Sequence, residues 1–202
     1  MRSVKGAPAR PYRKTKRALS EAETRRRIVE ATAALHQDVG PARTTVKAIA
    51  ERAGVQRATV YKHFPDLQTL FAACTALYYE RHPMPDPALW AGIAPPAERL
   101  RVALRDLYSW YEETEQMLTV GIRDIDVTPP AAREAFFGYF RHVKDSLMTG
   151  RRERGRGRAR IAAATGHAIS FGTWRSLVRE ELLSNEEAAE LMQVMVEAAA
   201  RD

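Results

Sequence analysis

Residues 45–64 read TVKAIAERAGVQRATVYKHF, and their types and spacing are those of two short helices hinged at Gly54. Ile49, Ala53, Val55 and Val60 fall where such helices bury against each other, and Ala50 is small at the point of closest approach. Two helices joined by a tight glycine turn form the helix-turn-helix, whose second helix enters the major groove of DNA. A step of about 100° per residue, with Val60 turned inward, puts Ala58 and Lys62 on the opposite face. Thr59 and Tyr61 flank them, and Phe64 returns to the core side. Arg57 opens the helix and can hold guanine O6 and N7 with two parallel hydrogen bonds. Thr59 can meet a thymine methyl or a phosphate, while Tyr61 and Lys62 suit phosphates, contacts that position without specifying. Thr44 and Thr45 offer hydroxyls to cap the first short helix, and Lys47 flanks them.

The elements around this pair keep the helical period. Ser20 with Glu23 has the spacing of a capping box, opening a helix that carries Ile28, Ala31, Leu35 and Val39 and stops at Gly40–Pro41. Pro65 and Asp66 punctuate and cap a longer helix with Leu67, Leu70, Phe71, Cys74, Leu77 and Tyr78 on a stripe. Pro83, Pro85 and Pro87 then mark the best boundary in the chain. Beyond it, a helix opening at Pro95–Pro96 carries Leu100, Leu104, Leu107, Tyr108 and Tyr111, and a separate short helix is predicted over 117–125. Pro129–Pro130 opens the next, with Phe136, Phe137, Phe140, Val143 and Leu147. The run GRRERGRGRAR at 150–160 reads as a solvated loop or frayed helix start, followed by one long helix over 158–183. Ser184 and Glu187 form a second capping box, for a last helix with Leu191, Val194, Met195 and Ala198. The expectation is an all-α chain of nine helices without strands. It has an N-terminal helix-turn-helix domain of three helices plus a linker helix over 21–82, and a C-terminal bundle of five helices over 83–202.

Charge is unevenly placed. The chain has 202 residues and a net charge of +7, all of it in residues 1–20, which hold seven cations and no acid. The pattern is of a basic arm, disordered when free, that a polyanion would attract. Residues 83–202 carry 16 basic and 18 acidic groups, which argues against a sequence-neutral DNA-packaging protein. Five histidines show no metal-ligand spacing, and neither a glycine-rich phosphate loop nor a Gly-x-Ser-x-Gly elbow is present, so neither catalysis nor a metal or cofactor is expected. The single cysteine, Cys74, precludes an internal disulfide and fits a reducing cytoplasm; no apolar run is long enough for a membrane span.

Over about residues 24–82, including the downstream Tyr61-x-x-Phe64-Pro65, the sequence resembles the DNA-binding domain of the TetR family of bacterial transcriptional regulators. Beyond it only the helical plan and the length are similar. The resemblance implies a ligand-responsive repressor that binds a palindromic operator in double-stranded DNA as a homodimer and is released by a small-molecule effector; a transcriptional activator would use the same DNA contacts. It makes Thr45 a phosphate-contacting hydroxyl and His63 a DNA-backbone contact. It lets Arg10, Arg13, Lys14, Lys16 and Arg17 follow the minor groove. The chain departs from the family at Leu67, where many similar proteins carry a phosphate-binding lysine. The last two helices, with Gly166 and Gly172 among small residues, could both be buried in a single bundle, whereas the resemblance implies that parts of both pair with a second subunit. An effector cavity inside the bundle would draw on Tyr108, Tyr111, Met117, Phe137, Phe140, His167, Phe171 and Trp174, residues that plain core packing would equally explain.

Overall fold

A computed structural model describes residues 10–199, with side chains from residue 18 onward. The described residues hold helices, short helical turns and no strand, as the period predicts. The chain divides into two compact units between Tyr78 and Tyr79.

The first unit contains α1 (Arg10–Val39), a 3-10 turn (Pro41–Arg43), α2 (Val46–Ala53), α3 (Arg57–His63) and most of α4 (Leu67–Arg81). Its core joins Ile28, Val29, Ala31 and Ala33 of α1 to Ile49, Ala50 and Ala53 of α2, and to Val60, Phe64, Leu70 and Cys74. The alanines permit close helix approach. Val39, placed by the period on the buried stripe, is exposed, and the polar Thr32 and His36 are buried instead. Thr32 satisfies itself by donating to the Ile28 carbonyl at 2.8 Å. His36 Nδ1 lies 3.5 Å from Cys74 Sγ, and burial pushes that thiol up to about 12, so Cys74 acts as a small hydrophobe.

The start of α1 corrects one expectation. The helix does not begin after Ser20 but runs back to Arg10, so residues 10–20 are helical rather than a disordered arm. Pro11 falls in the first turn, where a missing N–H costs nothing, and no glycine or proline follows before Gly40. Ser20 therefore caps nothing: its carbonyl accepts the Thr24 hydroxyl at 2.9 Å, and Glu23 pairs forward with Arg26 at 2.8 Å. Arg2, Lys5 and the side chains of Arg10, Arg13, Lys14, Lys16 and Arg17 lie outside what is described.

The second unit is built on α6 (Pro96–Arg123), preceded by the single turn α5 (Ala88–Ala91). There follow a 3-10 turn (Ile125–Val127), α7 (Pro130–Met148), α8 (Gly155–Ala168), α9 (Phe171–Arg175) with a π turn (Ser176–Glu180), and α10 (Asn185–Ala198). Leu100, Leu104, Leu107, Tyr108, Tyr111 and Leu118 of α6 form the centre, against Val143, Leu147, Ile161, Trp174, Met192 and Val196. The separate helix predicted over 117–125 does not exist: α6 continues through it to Arg123, because nothing from Thr114 to Val120 breaks the period. The long helix predicted over 158–183 is two. Its ladder stops at Ala168, Ser170 caps α9 by accepting the Thr173 N–H at 3.2 Å, and the carbonyls released at the break find side-chain donors. The hydroxyls of Thr173, Tyr108 and Tyr111 donate to the carbonyls of His167, Ala168 and Ile169 at 2.7, 2.8 and 2.5 Å. Unpaired buried carbonyls would be costly, so these hydroxyls make the break tolerable. The 150–160 run is also only partly solvated. Arg151 is buried and pairs with Glu197 at 2.5 Å, and α8 already begins at Gly155.

Candidate nucleic-acid interface and interior cavity

In the first unit, the turn between α2 and α3 rests on Gly54, at φ 65, a left-handed conformation that costs other residues about 1–2 kcal/mol. The Val55 N–H reaches back to the Ala50 carbonyl at 2.9 Å, and Arg27 of α1 donates to the Ala53 carbonyl at 3.0 Å. Arg25 stacks over the buried Phe64 ring at 4.4 Å. Nothing in the sequence singles out these two arginines within Arg25–Arg26–Arg27. Their partners, Phe64 and the Ala53 carbonyl, are far along the chain, so no local signal announces them.

Held this way, α3 buries Val60 and leaves Arg57, Ala58, Tyr61 and Lys62 exposed, with Thr59 and His63 half-buried beside them. Lys62 Nζ is 3.4 Å from Glu21 on the exposed surface, an ion pair of the weak, solvent-screened kind that a phosphate can displace. Thr45 caps α2: its Oγ accepts the Ala48 N–H at 3.1 Å, which keeps the hydroxyl proton for another acceptor. Thr44 differs, since its proton goes to the Gly40 carbonyl at 2.9 Å. Lys47 stands exposed in the first turn of α2, 3.9 Å from Glu51. The N-terminus of α2 thus collects a hydroxyl, unpaired backbone N–H groups and a lysine, a setting that favours an anion. At Leu67 the departure is plain: the side chain is 54% exposed at the first residue of α4. The preceding Asp66 accepts the Thr69 N–H and hydroxyl, each at 2.7 Å, and the backbone bond foremost holds its carboxyl below the usual range.

The second unit holds a partly open cavity of about 560 Å³ between α7, the end of α6 and the α8–α9 break. Phe137, Phe140 and Phe171 line it, together with Phe136, Ile122, Ile125 and Ile169. Tyr108, Tyr111 and Trp174 are not on its wall. They are wholly buried, Tyr111 edge-on to Phe171 at 5.6 Å and Trp174 donating to Asn185 Oδ1 at 2.8 Å. Burial raises the Tyr108 and Tyr111 hydroxyls well above their ordinary range, so they remain donors to the carbonyls at the break. Met117 is half-buried and His167 exposed, and neither lines the cavity. The lining residues missed in the sequence include Arg141, Lys144 and Ser170. Lys144 sits three and four residues from Arg141 and Phe140, a spacing that periodicity alone does not single out. Among the described residues, no cluster of His, Cys, Asp or Glu could hold a metal, and no helix is long and apolar enough to cross a membrane.

Residues 28–74 match the model of the bacterial regulatory proteins of the tetR family. No curated protein matches the chain in sequence. Among solved structures, a TetR-like transcriptional regulator from Rhodococcus sp. RHA1 is similar, with TM-score 0.59 and 20% identity over 86% of this chain and 93% of its own. The TetR family transcriptional regulator PfmR from Thermus thermophilus is similar too, with TM-score 0.56 and 19% identity over 86% of this chain and 97% of its own. At such identities the likeness is one of fold, and it extends the relation from the matched segment to the helical plan of nearly the whole chain. The match to the tetR family of bacterial regulatory proteins thus rests on residues 28–74, and the rest of the chain is similar to such regulators in fold.

Proposed function

We propose that this protein is a transcriptional regulator, a ligand-responsive repressor that binds a palindromic operator as a homodimer and releases it when a small molecule occupies the bundle. The observation that carries the reading is the uncovered side of α3, where Arg57, Ala58, Tyr61 and Lys62 all face solvent while Val60 and Phe64 anchor the helix. Two such helices in a symmetric pair would read half-sites about one helical turn apart, ~34 Å, or a multiple of it.

A second surface supports the pairing. On α10, Ala188, Ala189, Met192 and Val196 fill the core, whereas Leu191, Val194 and Met195 are 41%, 62% and 52% exposed. On α8, Ala159, Ala163 and His167 are also exposed, at a spacing that places them on one face. An apolar stripe beside a stripe of small residues is what a second copy can cover. The cavity supports the effector, since its volume lies in the range of small-molecule sites, roughly 300–1,000 Å³. To switch the population from mostly bound to mostly released, the effector must favour one state by about 5.5 kcal/mol.

Footprinting on a candidate palindrome, with random-sequence competitor and sedimentation of the free protein, tests the reading. It predicts two protected half-sites, a dimer, and a specificity ratio of at least about 10³. A monomer protecting an asymmetric site, or a ratio near one, would contradict it.

A further inference from the structure

We propose that the cavity of the second unit takes a small organic monocarboxylate with an aromatic or branched aliphatic body, and that Lys144 is the group that pairs with its carboxylate. This rests on the effector reading above and names the ligand's chemistry. The body follows from the walls: Phe136, Phe137, Phe140 and Phe171 with isoleucines leave little but apolar surface for a ligand to meet.

The charge follows from which polar groups are already committed. No Asp or Glu lines the cavity, and its two charged residues, Arg141 and Lys144, are both cations. The Arg141 guanidinium is paired with Glu134. The Ser170 hydroxyl is bonded to the Thr173 hydroxyl at 2.8 Å and accepts the Thr173 N–H, and the Ile169 carbonyl takes the Tyr111 hydroxyl. Lys144 alone remains. It is half-buried and, among the described residues, has no ion pair or hydrogen bond.

Its stem lies along the backbone of α8. A Cβ at Gly166 would stand 3.6 Å from Lys144 Nζ, 3.7 Å from Cδ and 3.8 Å from Cε. The ammonium is thereby held at an apolar cavity with no counter-charge. A cation would be repelled there, and a neutral ligand would leave the ammonium to be desolvated without a partner. A dianion would need a second cation, which Arg141 could supply only by giving up Glu134, so a monoanion is the charge that Lys144 balances by itself. A carboxylate takes a single ammonium donor with the lowest demand for further donors, whereas a phosphate needs several.

Isothermal titration of the full chain with naphthoate and with phenylbutyrate, each against its primary amide, tests the assignment. The acids should bind, and each amide should bind at least about tenfold more weakly. Lys144→Met should remove that difference with the helical spectrum and Tm unchanged, while Lys144→Arg should keep most of it. Bound acid should also shield Lys144, the single lysine beyond Lys62, from acetylation by acetic anhydride. Equal affinity for acid and amide, a preference that survives Lys144→Met, or failure of both acids to bind would overturn the proposal. Failure of the effector reading looks different: acids that bind through Lys144 without changing operator affinity would sink release and leave the carboxylate site standing.

Discussion

The two units are closed by different kinds of side chain, and their functional surfaces differ accordingly. In the first, Ala31, Ala33, Ala50 and Ala53 bring short helices close together, and Phe64 is the one aromatic ring in the buried set. The surface on which this unit can meet a partner is its outside, on α3 and the start of α2, where Arg57, Tyr61, Lys62 and Lys47 are exposed. In the second, Trp90, Tyr108, Trp110, Tyr111 and Trp174 fill the centre, and a broken helix opens a cavity beside them. Its interior can hold a ligand. An exterior site needs a rigid scaffold of small parts, whereas an interior one needs bulky walls with a local interruption.

The largest effect that would break this contrast is in the first core. Phe64→Ala removes the only wholly buried ring among the described residues of this unit and should cost about 3–5 kcal/mol. All three tryptophans, Trp90, Trp110 and Trp174, lie in the second unit, so tryptophan fluorescence reports that unit alone. In thermal melts of the variant, helical circular dichroism should begin to fall before the fluorescence changes. If both signals move together, the units are energetically coupled and the contrast loses its basis.

How far each site is legible in the sequence follows from the same contrast. The exterior of α3 can be read because a seven-residue helix with Val60 inward leaves only one assignment of faces. The helix stop at Gly54 and the cap at Ser184 are likewise local. The interior cannot be read this way, since a cavity wall and a packed core have the same apolar period. Tyr111 and Phe171 share one stripe logic, yet one is core and the other wall. The break after Ala168 escapes notice for a further reason. No glycine or proline stands at Ile169–Ser170; what makes the break tolerable is a pair of tyrosine hydroxyls from α6, about sixty residues away in sequence.

That dependence gives the next prediction. Tyr111→Phe keeps the ring and removes the donor to Ile169, leaving a buried carbonyl unsatisfied at about 1–3 kcal/mol. Chemical denaturation followed by tryptophan fluorescence should show the loss in the second unit. A cost near zero would mean that the break does not need its hydroxyl. On the exterior side, Arg57→Ala should leave stability unchanged and lower operator affinity by about 1–3 kcal/mol, with relaxed preference at one base pair of each half-site. Uniform weakening over all sequences would instead make Arg57 a phosphate contact.

The smallest expected effect compares two copies of one motif. Ser20-x-x-Glu23 and Ser184-x-x-Glu187 have the same spacing, but only the second is a cap. The Glu187 N–H donates to Ser184 Oγ at 3.2 Å and the Ser184 N–H to Glu187 Oε2 at 2.8 Å, while Ser20 lies inside α1. Ser184→Ala should therefore cost about 1 kcal/mol, and Ser20→Ala nothing or a slight gain, since alanine is the better interior residue. The Ser184 hydroxyl foremost, and then the Ser184 backbone N–H, hold the Glu187 carboxyl below its usual range. A carboxyl lowered on folding contributes stability that is present above its unfolded pKa and lost as pH falls through the folded value. The difference between wild type and Ser184→Ala should thus be full at neutral pH and shrink below about pH 4. Ser20→Ala should show no such dependence, because Glu23 is also lowered, but by Arg26 first, and that partner survives the substitution. Equal costs for the two serines, or a Ser184 effect indifferent to pH, would mean that position within the helix does not decide whether the motif acts as a cap.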